Sequence, residues 1–258
     1  MKLLLLAVVP VFIIIFYIYY KDKYDKEPKR LLIYSFLLGA VVSIVVTTIL
    51  YVISDYFFPI PIEDNKNAIQ LLVKAFLIVG LIEEFSKYLI VRYFAQPKKE
   101  FNEQFDGIVY AVMVSMGFAA TENIMYVIEG GFQTAVLRTF TAIPAHASFA
   151  VLMGYFMGKA KFSKHRIGYN LLGLFCAILF HGTYDYFLFL GEGQVFSFVY
   201  LSIGIYYSFK AMKKHQENSF GKHISDEDES KLIGERKRKP NTSKCHSRNI
   251  SFAECSEE

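Results

Sequence analysis

Cysteine is scarce in this sequence and tryptophan is absent. The 258 residues include three cysteines, and no two of them form a CxxC pair or a zinc-ribbon spacing. This pattern argues against a disulfide scaffold and a cysteine-bound metal site. The HExxH signature of many zinc proteases is also missing, and no internal repeat of solenoid length is present.

The sequence also lacks a large block of charge of one sign. Residues 213–258 hold 10 of the 28 lysines and arginines and 9 of the 24 aspartates and glutamates. A nearly balanced segment of this kind is not a nucleic-acid-binding arm, so we expect no nucleic-acid partner. Its polar composition predicts a disordered tail on the cytoplasmic side of the membrane.

Long apolar runs dominate the first 212 residues. Hydrophobic residues make up 53% of the chain and the mean hydropathy is +0.31. Most of the runs reach the roughly 20 residues that a helix needs to cross a bilayer. The sequence therefore predicts an all-α, polytopic membrane bundle of about seven transmembrane helices, with residues 1–212 as the membrane domain. The runs cover residues 3–20, 31–58, 68–95, 106–128, 133–158, 168–190 and 195–212.

The loops between the runs alternate in basic content. Lysine and arginine are concentrated in residues 21–30, 92–104 and 159–167. The other loops carry few basic residues or none. Because basic loops stay in the cytoplasm, this alternation predicts an amino terminus outside the cell membrane and a carboxyl tail inside. We expect the lipid bilayer itself to be a partner.

Ionisable side chains interrupt the third run, where they are costly in hydrocarbon and are functional candidates by default. Glu83 and Lys87 stand four residues apart in the order that favours an ion pair on a helix. Glu84 points about 100° away from Glu83, so we expect it to lack this partner. A carboxylate of that kind is hard to explain by packing alone.

The fourth and fifth runs carry further polar groups. Glu122 and Asn123 follow a stretch of small residues, where they form either a clasp between helices or part of a reactive site. Arg138 precedes Pro144 and His146 in the next run. A proline inside a run removes a backbone donor and predicts irregular backbone that lines a cavity.

The sixth run contains His181 and Asp185, which share one helix face at a spacing of four residues. A carboxylate at this spacing can orient an imidazole ring. At about 1.5 Å per residue, Glu83, His146 and His181 all lie near the middle of the membrane. We therefore expect side chains from several helices to converge in one membrane cavity.

These stretches, in this order, resemble the PrsW family of bacterial intramembrane proteases, which is distantly similar to the CAAX-processing and Abi proteases. The resemblance covers about residues 68–190. It implies cleavage of a membrane-embedded protein, for example a single-span anti-sigma factor. The matching stretches are Glu83-Glu84-Phe85-Ser86-Lys87, Phe105-Asp106-Gly107 with Gly117-Phe118 to Asn123, Pro144-Ala145-His146-Ala147 with Gly154 to Gly158, and His181-Gly182-Thr183-Tyr184-Asp185.

Two chemistries remain open for such a site. In the first, Glu83 or Glu84 activates water while His146, His181 and Asn123 stabilise the oxyanion or protonate the leaving amine. In the second, zinc is held by His146 and His181 with Glu122 or Asp185, and Glu84 is the base. The supporting residues would be Lys87, Glu122, Asn123, Arg138 and Asp185.

Other classes of protein fit the sequence less well. No apolar run contains a GxSx serine motif, and Tyr184-Asp185 has no GxGD partner. Buried Glu, His and Asp residues also occur in proton- or ion-coupled transporters and channels, but no inverted repeat is visible. A scaffold that retains the cavity without catalysis is a third alternative. The sequence determines neither the substrate nor the oligomeric state.

Overall fold

The computed structural model describes residues 2–59, 67–191 and 194–238, and these form helices joined by short connections. Three of the described helices precede the polar loop 96–105, and four follow it. No strand occurs in the described ranges, which confirms the all-α prediction. The helices are α1 (Lys2–Lys21), α2 (Lys29–Phe57), α3 (residues 68–95), α4 (Asp106–Phe140), α5 (Ala142–Lys161), α6 (Arg166–Phe189) and α7 (Gln194–Arg238).

Five stretches of the described chain are long and apolar enough to cross a membrane, which confirms a helical membrane bundle. One of them, Asp106–Lys161, contains both α4 and α5. Helix α3 carries five charged residues within residues 68–95, so length and hydropathy alone do not identify it as a span. The stretches are Leu3–Lys21, Lys29–Phe57, Asp106–Lys161, Arg166–Phe189 and Val195–Gly221.

The chain leaves helical geometry at Gly131, within the break between residues 128 and 133 that the apolar runs predict. The φ of Gly131 is 69°, in the region that favours glycine, so α4 consists of two helical segments joined by a kink at this residue. The second segment continues to Phe140, and a further break at Thr141 precedes α5. Pro144 lies in the first turn of α5, where its missing N–H has no helical partner to lose. The proline therefore begins a helix and does not interrupt one.

Helix α4 is the centre of the bundle. Every residue from 106 to 120 is buried, so other helices surround this half of α4 on all sides. Close approach depends on glycine. A Cβ at Gly117 would lie 2.0 Å from the carbonyl oxygen of Phe36 on α2, and one at Gly154 on α5 would lie 2.3 Å from that of Gly107. Neither contact leaves room for a larger residue.

A buried acidic cluster connects the α1–α2 loop to the start of α4. The carboxylate of Asp106 accepts hydrogen bonds from the backbone N–H groups of Asn102 and Glu103, at 2.7 and 2.6 Å. The hydroxyl of Tyr110 donates to Glu27. Burial raises the pKa of the Glu27 carboxyl, so this group keeps its proton more readily than an exposed glutamate. The cluster fixes the loop against α4.

Helix α7 extends beyond the predicted end of the membrane domain at residue 212. It continues to Arg238, where disorder was expected from residue 213 onward. The last part of the predicted tail, residues 239–258, lies outside the described residues. By its contacts the chain divides into two units, of which the first ends at Glu217 and the second begins at Asn218.

Candidate active site

A cavity of about 1020 Å³ lies among the helices of the first unit. It brings together polar side chains that are far apart in the sequence, within walls that are largely apolar. This convergence is the one expected from the sequence. The predicted site residues that line the cavity are Glu83, Glu122, Arg138, His146, His181 and Asp185.

Helix α3 supplies the central charged group. The Lys87 ammonium lies 3.3 Å from Glu83 Oε2 and 2.7 Å from Glu84 Oε1, and all three side chains are almost fully buried. The predicted pairing of Glu83 with Lys87 is confirmed. The expectation that Glu84 lacks this partner is wrong, because residues three apart on a helix are also neighbours.

His181 on α6 lies between two carboxylates. Its Nδ1 is 2.9 Å from Glu84 Oε1, and its Nε2 is 3.2 Å from Asp185 Oδ2. The spacing of four residues predicted the contact with Asp185, which lies on the same helix. The contact with Glu84 joins α6 to α3, and the spacing did not predict it. Only an imidazolium donates from both ring nitrogens, so the charged form of His181 satisfies both carboxylates.

His146 on α5 is held in a different way. Its Nδ1 is 3.3 Å from the Lys87 ammonium, which can only donate, so Nδ1 accepts. Its Nε2 lies 2.9 Å from Glu122 Oε2, and Arg138 also binds that oxygen at 2.6 Å. These partners assign the neutral tautomer with the proton on Nε2. The ring centroids of His146 and His181 are 5.6 Å apart.

Asn123 has structural partners on both sides of its amide group. Its oxygen accepts a hydrogen bond from Arg138 Nε at 2.7 Å, and its NH₂ group donates to the carbonyl of Ala7 on α1 at 2.8 Å. It is fully buried and does not line the cavity. Of the two interpretations of this residue, the geometry supports a clasp between helices.

Sequence reasoning missed the contribution of α2, whose run looks almost purely apolar. Tyr51 lines the cavity, and its hydroxyl donates to Glu83 Oε1 at 3.0 Å. Ser43 and Thr47 on the same helix contact Ser86 of α3. The signal in the sequence is a hydroxyl group at every fourth position, which is one face of a helix.

Two overlapping groups of side chains offer atoms that zinc binds in proteins. Glu83, Glu122 and His146 form one, and Glu83, Glu84 and His181 form the other. In each, the three ligand atoms lie within 4.8 Å of one another. Within the described part of the chain, Glu84 Oε2 is a buried oxygen without a hydrogen-bond partner. Carboxylate oxygens and imidazole nitrogens in this arrangement fit zinc.

These groups differ from the predicted zinc ligands. The prediction placed His146 and His181 in one set with Glu122 or Asp185, whereas the structure puts the histidines in separate groups. Asp185 belongs to neither group, and Glu83 belongs to both. The zinc prediction named Glu84 as the base and did not include Glu83 among the ligands, because spacing along one chain does not reveal which helices face each other.

Comparison with known proteins identifies a family. A model of the family described as "PrsW family intramembrane metalloprotease" matches residues 27–211. No solved structure gives a significant match.

Several curated relatives carry the name Protease PrsW. The relative from Halalkalibacterium halodurans is 35% identical over 191 residues, which cover 73% of this chain and 84% of the relative. The one from Bacillus subtilis is 36% identical over 70% of this chain and 80% of its own length. The one from Clostridioides difficile is 33% identical, over 73% and 79%. The chain therefore belongs to the PrsW family of intramembrane metalloproteases, and it is a membrane-embedded protease.

Proposed function

We propose that this protease hydrolyses a peptide bond within a membrane-spanning protein, using water activated by Glu83. The observation that carries the proposal is the position of this carboxylate. Glu83 lines the cavity, whereas Glu84 lies behind it and binds Lys87 and His181. Of the two adjacent glutamates, Glu83 is the one that a water molecule and a substrate can reach.

In the proposed reaction, Glu83 takes a proton from water as the oxygen attacks the carbonyl carbon of the substrate. Protonated His181 then supplies a proton to the amine as the carbon–nitrogen bond breaks. Its Nε2 lies 4.0 Å from Glu83 Oε2, which is too far for a direct hydrogen bond, so the proton would return from Glu83 to His181 through one water molecule after the reaction. Glu84 and Asp185 hold the ring in place and stabilise its charge.

His146 has a supporting role in this mechanism. Its Nε2–H binds Glu122, which in turn is held by Arg138, so the ring is fixed on the wall of the cavity beside His181. A small rotation would turn this N–H towards an oxyanion. Asn123 has no place in the reaction, because its amide group is committed to the clasp with α1.

A second candidate mechanism uses zinc. Two observations favour it: the pair of donor groups around Glu83, and an excess of negative charge. The site holds four carboxylates against the fixed positive charges of Lys87 and Arg138, and a histidine that bound the ion would be neutral. Glu83, Glu84 and His181, or Glu83, Glu122 and His146, would hold the ion. Bound zinc would polarise the scissile carbonyl and make water more acidic.

The proposed substrate is a protein that crosses the membrane once, such as an anti-sigma factor in a bacterial cell membrane. A peptide bond in such a segment reaches the cavity only after its helix unwinds locally, because helical backbone is already hydrogen-bonded. Membership of a protease family favours hydrolysis over ion transport, although both use buried carboxylates and imidazoles.

The test is cleavage of a panel of single-span membrane proteins tagged at both ends, with the full-length enzyme in detergent. We expect wild type to cut at least one member of the panel and Glu83→Gln to cut none. Glu84→Gln should retain partial activity, because it positions His181 and does not itself take the proton. Glu100→Gln, in the exposed part of the loop after α3, is the matched control and should behave as wild type.

The same assay separates the two mechanisms. Activity that survives a zinc chelator supports carboxylate chemistry, and loss that added zinc restores supports the metal mechanism. If Glu83→Gln cleaves the substrate as fully as wild type, the role of Glu83 is overturned in both mechanisms. Ion flux in proteoliposomes that depends on Glu83, without cleavage of any substrate, would favour a transporter.

A further inference from the structure

One face of α2 carries hydroxyl groups at every fourth position. Ser43, Thr47 and Tyr51 are spaced by four residues, so their side chains lie on one side of the helix. This side faces α3, and most of the rest of α2 is apolar and exposed on the surface of the bundle. Polar side chains inside a bundle cost free energy unless they are hydrogen-bonded, so their partners indicate what this face does.

The first two hydroxyl groups fasten α2 to α3. Ser43 Oγ lies 2.6 Å from Ser86 Oγ, and Thr47 Oγ1 donates to the same atom at 2.9 Å. Ser86 in turn donates to the backbone carbonyl of Glu83 at 2.8 Å. This chain of hydrogen bonds sets the distance between α2 and the segment of α3 that carries Glu83.

The third hydroxyl group reaches the carboxylate itself. Tyr51 donates to Glu83 Oε1 at 3.0 Å, and Lys87 binds the other oxygen, Oε2, at 3.3 Å. Each oxygen of Glu83 thus has one donor, and the two donors come from different helices. A carboxylate held at both oxygens cannot rotate freely, so it presents a defined orientation to the cavity.

We propose that Tyr51 is a positioning residue for Glu83, and that α2 is therefore part of the catalytic machinery. The inference rests on the proposed function, in which Glu83 activates water. A phenol suits this position because it donates one hydrogen bond without carrying charge. Tyr51 acts through Glu83, so its loss should slow the chemical step and leave substrate binding largely unchanged.

The experiment compares Tyr51→Phe with wild type in the full-length, detergent-solubilised protease, with a cleaved substrate from the panel. The substitution removes the hydroxyl and keeps the ring. We expect kcat to fall about tenfold, since one hydrogen bond contributes about 1–1.5 kcal/mol. KM should stay within about twofold of wild type, because in this proposal Tyr51 holds Glu83 and does not itself bind the substrate.

Tyr56→Phe is the matched control. Tyr56 lies on the same helix, is 80% exposed and does not line the cavity, so its variant should match wild type in kcat and KM. The thermal unfolding temperature of each variant is measured alongside. If Tyr51 has a purely structural role, Tyr51→Phe should lower the unfolding temperature without a fall in kcat at nearly constant KM.

The outcomes distinguish this inference from the function on which it rests. If wild type cleaves the substrate and Tyr51→Phe has the kcat of wild type, the positioning role is overturned and the proposed function stands. A rise in KM with kcat unchanged would also overturn it, because Tyr51 would then act on substrate binding. If Glu83→Gln cleaves as well as wild type, the proposed function fails first.

Discussion

Lys87 is the residue on which the charge balance of the site depends. Its ammonium contacts Glu83, Glu84 and His146 and lies 4.2 Å from the ring centre of Phe118. The residue as a whole is 1% exposed. A buried charge of this kind is tolerated only with partners, and removing one member leaves the others uncompensated. Lysine therefore holds the two carboxylates of α3 in the same small volume.

We expect Lys87→Met, which keeps the length of the side chain, to lower the free energy of unfolding by about 3–5 kcal/mol and to abolish cleavage. Unfolding is measured by titration with a denaturing detergent. Lys99→Met, an exposed position after the same helix, should change stability by less than about 0.5 kcal/mol. Stability equal to wild type for Lys87→Met would mean that the carboxylates do not need this cation.

Helical spacing predicted some of the contacts at this scale and missed others. The four-residue rule located Glu83 beside Lys87 and His181 beside Asp185. It did not predict that Glu84 would bind His181, because these two residues lie on different helices and are 97 positions apart in the chain. The role of Asn123 was likewise open, since an amide group makes a clasp or a reactive donor equally well until its neighbours are known.

At the scale of the helices, the crossing of α4 and α5 determines where His146 lies. Gly154 and Gly158 on α5 contact Gly107 on α4 with almost no space between the backbones. Small residues at such spacing allow helices in membranes to pack closely. Because α5 also carries His146, the distance between these helices sets the position of the imidazole relative to Glu122.

We expect Gly154→Ala to destabilise the protein by about 1–3 kcal/mol, since its Cβ would lie 2.3 Å from the carbonyl oxygen of Gly107 and the helices must separate. The rate of cleavage should also fall, because His146 moves together with α5. The measurements are detergent-induced unfolding and initial rates. Gly168→Ala in α6, where a new Cβ meets nothing within 4 Å, is the control and should be neutral or slightly stabilising. If Gly154→Ala has the stability and the cleavage rate of wild type, then α4 and α5 do not pack tightly at this position.

For the whole molecule, we propose that the amino terminus is outside the cell membrane and that α7 leads into the cytoplasm. The alternation of basic loops is the argument for this orientation. It places the α5–α6 connection inside the cell and the end of α2 outside.

Labelling of single cysteines tests this orientation, in a variant in which Cys176, Cys245 and Cys255 are replaced by serine. We expect a membrane-impermeant thiol reagent to label Phe58→Cys in intact cells. It should label Lys164→Cys only after the membrane is permeabilised. Cleavage activity of each variant shows that it is folded. The reverse labelling pattern would invert the proposed topology.

Composition and spacing alone were enough to predict the class of fold and several of the ionisable residues that line the cavity, although not Tyr51. Hydrophobic runs of membrane length have few structural alternatives, because backbone polar groups in lipid must be satisfied within a helix. Charged groups within those runs are costly, so they identified Glu83, Glu84, His146 and His181 before any contact was known.

The tertiary structure decided which of these groups face the cavity and which lie behind it. It turned Glu83 towards the cavity and Glu84 towards Lys87, assigned Asn123 to a clasp, and brought Tyr51 of α2 to the carboxylate of Glu83. Periodicity describes one helix at a time. Which faces meet depends on how closely helices pack at positions such as Gly107 and Gly117, and that is a property of the assembled bundle.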